Sequence, residues 1–133
     1  MKHNDFVYLD VPFFLEHSLK VIPPTDRYAK TALAHATTEI EFLRREGLIK
    51  MDSVAGSAPV KEVVLRLSDL TEEGQDFILS GATRNWLGAC DRKSSDLLKK
   101  GASEEARLAV YSDSKGLVSR LERFRKQRQS QAH

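Results

Sequence analysis

Residues Arg66–Ile78 read "RLSDLTEEGQDFI". A strand-like run stops at Leu67, Ser68-Asp69 turns the chain, and Thr71 stands where a helix N-cap belongs. A threonine there accepts a hydrogen bond from one of the amides that the first turn leaves unpaired. Glu72 and Glu73 come next, where carboxylates meet the positive end of a helix. Leu70, Phe77 and Ile78 supply the apolar contact to a core. Gly74 inside the first turn costs helix propensity, so its presence predicts a close backbone approach.

Upstream, "VKEVVLRL" (Val60–Leu67) alternates, with Val63, Leu65 and Leu67 on one face and Glu62 and Arg66 on the other, as in a half-buried strand. "LIKMDSV" (Leu48–Val54) reads as extended chain and "AGSAP" (Ala55–Pro59) as turn, which together predict a hairpin. Before it, Arg27–Glu46 is helical. Ala29, Leu33, Ala36, Ile40 and Leu43 recur at four, three, four and three residues, making one buried stripe. Gly47 suits the left-handed position that closes such a helix. Phe42 lies off that stripe. The opening predicts a strand near Phe6–Leu9 and a helix near Pro12–Val21, with Pro12 in its first turn. "PPTD" (Pro23–Asp26) then breaks the chain and caps the Arg27–Glu46 helix.

Downstream, "ATRNWLGACDRKSSDLLKK" (Ala82–Lys100) predicts a short helix around Trp86 and another around Leu97. Ser103 caps a further helix, "SEEARLAVY". Leu117, Leu121 and Phe124 form a narrow stripe on a terminal helix whose end, "QRQSQAH", is expected to fray.

The chain has 133 residues, 41% hydrophobic and 30% charged, which suits one domain with an extension. No apolar run approaches the roughly 18 residues of a membrane span. "VPFFL" (Val11–Leu15) is interrupted by Pro12 and followed by Glu16, unlike a secretory signal. Cys90 is the single cysteine, so no intrachain disulfide forms; the expectations are a reducing cytoplasm and a small apolar filler rather than a nucleophile.

The net charge of +2 is unevenly placed. Residues 1–83 carry 9 Lys/Arg and 13 Asp/Glu, net −4; residues 84–133 carry 12 and 6, net +6. The surplus peaks in "KGLVSRLERFRKQRQ" (Lys115–Gln129). Such an end attracts nucleic acid or an acidic protein, or simply keeps a helix solvated.

The order helix, "EFLRREGLI", hairpin, "LTEEG", helix over Asp26–Gly81 resembles a winged helix-turn-helix domain. More closely, Leu43, Gly47, Leu48, Ile49, Leu70, Thr71, Glu73, Gly74, Phe77 and Trp86 are similar to the L…GLI, LTxEGxxF and W pattern of an uncharacterised phage and mobile-element domain family. The first 25 residues and the Ser68-Asp69 insertion depart from it. The resemblance implies an α+β winged-helix core over 26–90, after a strand–helix segment (1–25) and before a helical basic extension (91–133). It implies no activity.

In winged-helix proteins the helix before the wing enters the DNA major groove. Here that places Arg27, Lys30, Thr31, Ala34, Thr38, Glu41 and Arg45 outward, with Lys50 and Lys61 on the wing stems. Arg, Lys and Thr suit phosphates and base edges, whereas Glu39, Glu41 and Glu46 weaken the field and the wing tip has no cation. The basic terminal helix, with Lys115, Arg120, Arg123, Arg125, Lys126 and Arg128, would add phosphate contacts, and Arg120 and Arg123 are placed in the expected site. The narrow stripe of Leu117, Leu121 and Phe124 suits packing against one other helix, in the chain's own body or in a twin; the same resemblance implies a homodimer. The expected function is a double-stranded DNA-binding transcriptional regulator; the alternative is a protein-binding winged helix, such as an adaptor, antitoxin-like or anti-defence factor.

Catalysis finds no motif. His3, His17, His35 and His133 lack metal-ligand spacing, and His35 with Glu39 one turn on is too few ligands. There is no Gly-rich phosphate loop and no GxSxG. The Asp69, Glu72, Glu73 and Asp76 cluster is accounted for by capping. No cofactor and no enzyme activity are expected.

Overall fold

The computed structural model describes residues 5–20 and 26–131; the side chains of 17–20, 26–29 and 131 lie outside that description. In chain order the elements are strand β1 (Val7–Asp10), helices α1 (Val11–Lys20) and α2 (Asp26–Arg45), strand β2 (Val64–Arg66), and helices α3 (Glu72–Leu79), α4 (Ala82–Lys99), α5 (Glu104–Tyr111) and α6 (Lys115–Gln131). Helices dominate, and the two strands form one small antiparallel sheet.

Local chemistry sets the helix ends. Asp10 caps α1, accepting from the Phe13 amide at 2.9 Å. The amides of Gly74 and Ala106 donate to the hydroxyls of Thr71 and Ser103, each at 3.1 Å, so both expected N-caps are present. Gly47 takes φ +71° beyond α2, and the Leu48 amide bonds back to the Leu43 carbonyl at 2.8 Å, closing the helix as glycine permits.

The sheet departs from the expected hairpin. The partner of β2 is β1, with Leu9 opposite Leu65 and Asp10 opposite Val64. Between α2 and β2 only Ile49 bridges, to Leu70; the expected wing instead holds 3-10 turns at Val54–Gly56 and Val60–Glu62. The cause is Arg44. Its guanidinium donates to the Ala55 carbonyl at 3.0 and 2.8 Å and to the Ala58 carbonyl at 2.6 Å. With those carbonyls engaged and Ala55 buried, the loop folds against α2 instead of extending as a ladder.

The core gathers Ile40, Phe42, Leu43, Leu48, Leu65, Leu70, Phe77 and Leu117, all fully buried. Phe77 is its centre, tilted against Phe42 at 6.2 Å and edge-to-face with Phe124 at 5.4 Å. A Cβ on Gly74 would overlap the Leu48 carbonyl oxygen, which is the close approach the sequence predicts. Residues Ala82–Lys99 form one helix, not two, because Thr83, Trp86, Cys90 and Ser94 make a continuous buried stripe. A polar stitch crosses the core: the Tyr8 hydroxyl is hydrogen-bonded to Glu39 (3.1 Å) and Thr83, and His35 lies 3.3 Å from the other Glu39 oxygen. Burial, reinforced by the Glu39 charge, pushes the Tyr8 hydroxyl well above its ordinary pKa.

Candidate nucleic-acid interface

The helix expected to read DNA is largely buried, with Lys30, Glu41 and Arg45 left exposed. On α2, Ala32, Ala36, Thr38, Glu39, Ile40, Phe42 and Leu43 are all buried, and they occupy more than one face. Thr38, expected to point outward, is 8% exposed, and its single hydroxyl proton lies within reach of the Tyr111 carbonyl at 2.7 Å and the Ala34 carbonyl at 2.9 Å. Helix α5 packs against this helix where the Tyr111 carbonyl meets Thr38. Lys30 remains exposed, 3.9 Å from Glu104, and Thr31 is half-buried. Arg45 is exposed beside Glu46 at 3.9 Å and lies over the Phe42 ring. The Arg27 side chain lies outside the described residues. Lys50 and Lys61 are exposed on the loop that Arg44 holds, not on the stems of a projecting wing.

The apolar stripe expected to pair two copies is also used internally. Leu117 and Leu121 are 0% and 2% exposed within the chain's own core, and Phe124 packs edge-to-face on Phe77. A Cβ on Gly116 would lie 2.8 Å from Trp86 Cδ1, showing how closely α6 sits on α4. Phe42, off the main stripe, is likewise core.

The cations of α6 divide into two sets. Arg125 is bound by Glu73 (2.9 Å) and Glu46 (3.3 Å), and Arg128 by Asp76 at 2.8 Å. The acidic residues of α3 thus clamp the terminal helix as well as completing a helix start. Hydrogen bonding from Arg125 holds the Glu73 carboxyl below its usual range. Lys115, Arg123 and Lys126 form no ion pair among the described residues, and Arg120 bonds only the Gly116 carbonyl, at 2.9 Å.

Arg120 and Arg123, one turn apart, face a groove of about 360 Å³ between α6 and the start of α4. Ser80, Ala82, Asn85, Phe124 and Gln127 complete the lining, and no carboxylate is among them. Of the residues expected to touch DNA, Arg120 and Arg123 share this groove, while Lys30 and Thr38 share another, of about 450 Å³, whose lining includes the carboxylate of Glu41. Asn85 and Gln127 were not legible as partners, since only α4–α6 packing brings them to the same groove.

Elsewhere, Cys90 is buried with its thiol pushed up to about 11, chiefly by burial, which disfavours the nucleophilic thiolate. Among the described residues no group of three potential metal-ligating side chains occurs, and no helix is long and apolar enough to cross a membrane.

Comparison with family models, curated proteins and solved structures finds no match to this chain. The likeness to a mobile-element domain therefore rests on the sequence pattern alone. The structure is a small α+β domain, a short antiparallel sheet with several helices, of a shape compatible with a winged helix-turn-helix.

Proposed function

We propose that this chain is a non-catalytic, winged-helix-type regulatory module that binds double-stranded DNA, with α6 and the start of α4 as its contacting surface. The observation that carries this reading is the pair Arg120 and Arg123, cations with no carboxylate partner among the described residues, on a groove without acidic lining. The net +6 of residues 84–133 supplies the surrounding field. Phosphate contacts of this kind give affinity and register rather than sequence choice. A role as transcriptional regulator, of mobile-element origin and acting in the cytoplasm, is part of the same proposal.

Fluorescence anisotropy of a labelled generic duplex, at low and at physiological salt, tests it. Binding that weakens steeply with added salt is the expected result, because each neutralised phosphate releases counterion. Absence of binding at low salt would overturn it.

One observation favours a second reading, a protein-binding module. Met51 is 95% and Val54 79% exposed, on the loop that Arg44 fixes to α2. Two apolar side chains held outward on an anchored loop suit a protein partner. A duplex-negative result combined with loss of a captured partner in Met51→Ser would establish it.

A further inference from the structure

We propose that the α4–α6 groove is a discrete phosphate site, seating one phosphoryl group between the guanidinium groups of Arg120 and Arg123. The inference rests on the DNA-binding reading only for the source of that phosphate, a backbone phosphodiester; the chemistry is shared with free phosphate anions.

Three features separate this groove from a merely basic surface. The first is the supply of uncommitted polar groups. The side chains of Asn85, Arg123 and Gln127 have no hydrogen-bond or ion-pair partner among the described residues, and all three line the same groove. The second is preorganisation. Arg120 Nη1 is tied to the Gly116 carbonyl at 2.9 Å, and Gly116 itself is pressed against Trp86. The arginine is thereby held at the groove wall with its other N–H groups free, since a guanidinium has five donors. The third is size. A groove of about 360 Å³ that opens to solvent admits a phosphoryl group presented from outside.

The remaining walls fit the assignment. Ser80 is committed, donating to the Phe77 carbonyl at 2.6 Å, and serves as a boundary. Phe124 meets Phe77 in a T-shaped contact and has Arg128 over its ring at 5.5 Å, so its ring already has two neighbours. What is left is a set of N–H donors without an acidic competitor, which selects a compact anion with several acceptor oxygens.

The test titrates inorganic phosphate, and separately a short duplex, into the full chain while following arginine Nε and side-chain amide resonances by NMR. Arg123→Gln is the informative variant, because Arg123 is exposed and holds no structural contact. Lys126→Gln, an exposed cation outside the groove lining, is the matched charge control. The site predicts saturable shifts at Arg120, Arg123, Asn85 and Gln127, about tenfold weaker phosphate binding in Arg123→Gln, and little change in Lys126→Gln. Equal losses in the two variants, or shifts spread over every α6 cation, would overturn it. The outcomes also separate the two proposals. Saturable phosphate binding with no duplex binding keeps the site and removes DNA as its source. Salt-sensitive duplex binding without localised phosphate shifts keeps the DNA reading and removes the site.

Discussion

The Thr38 hydroxyl donates to the Tyr111 carbonyl oxygen at 2.7 Å, tying the middle of α2 to the last turn of α5. That carbonyl is one of those a helix end leaves without an internal partner. Thr38→Val keeps the shape and removes the donor, and is expected to cost about 1–3 kcal/mol in urea denaturation. Thr38→Glu is expected to unfold the chain by circular dichroism, not to abolish DNA binding on a native fold. A folded Thr38→Glu protein would show that this helix face is open after all.

Gly74 faces the Leu48 carbonyl so closely that an added Cβ would overlap it. Gly74→Ala gains up to about 1 kcal/mol of helix propensity, yet overpacking typically costs about 1–3 kcal/mol. The net expectation is a lower denaturation midpoint. A stabilised variant would mean that α3 can move away from residue 48 at little cost.

Arg44 reaches two carbonyls of one loop with a single planar group. A lysine ammonium lacks that fork. Arg44→Lys is expected to lose about 1.5–3 kcal/mol and to speed amide hydrogen exchange over residues 54–58, with α5 and α6 left protected. Unchanged exchange in the loop would show that other contacts hold it.

The Glu73–Arg125 pair gives a pH signature. The folded Glu73 carboxyl titrates below its ordinary value of 4.5, so the stability it contributes is present above that value and is lost as pH falls through the lower folded value. Wild type is expected to shed more thermal stability than Arg125→Gln between about pH 5 and about pH 3. Parallel Tm curves for the two proteins would show that the pair adds nothing. Both side chains are more than one third exposed, so the difference is expected to be small and to shrink with salt.

Leu121 sits within the core at 2% exposure. Leu121→Asp is expected to unfold the chain, since the change both opens a cavity and buries a charge. Analytical ultracentrifugation of a folded Leu121→Asp monomer, from a dimeric parent, would restore the stripe to an intermolecular role.

What the sequence made legible was what neighbours in the chain decide. The α2 stripe, the Thr71 and Ser103 caps and the Gly47 ending all depend on residues within about one turn. Long-range capture decided the remainder. Nothing near Val64 announces that its strand will pair with residues 7–10, and nothing near Ala55 announces Arg44. Residues 82–100 read as two short helices, around Trp86 and around Leu97; Thr83, Trp86, Cys90 and Ser94 join them into one by sharing a buried stripe. For the candidate site, Arg120 and Arg123 stood out in a charge run, whereas separating them from Arg125 and Arg128 required knowing where Glu46, Glu73 and Asp76 lie.

The pairing of β1 with β2 also sets a timetable. Fifty-odd residues separate Asp10 from Val64, so a ribosome adding about 5–20 residues per second makes the first strand wait roughly 3–10 seconds for its partner. During that interval "VYLD" is a nascent strand with both edges open and Leu9 uncovered. Closing so wide a loop late makes the sheet a slow, non-local step. A chaperone that shields the emerging N-terminal segment would therefore raise the yield of folded protein more than one acting on the later helices.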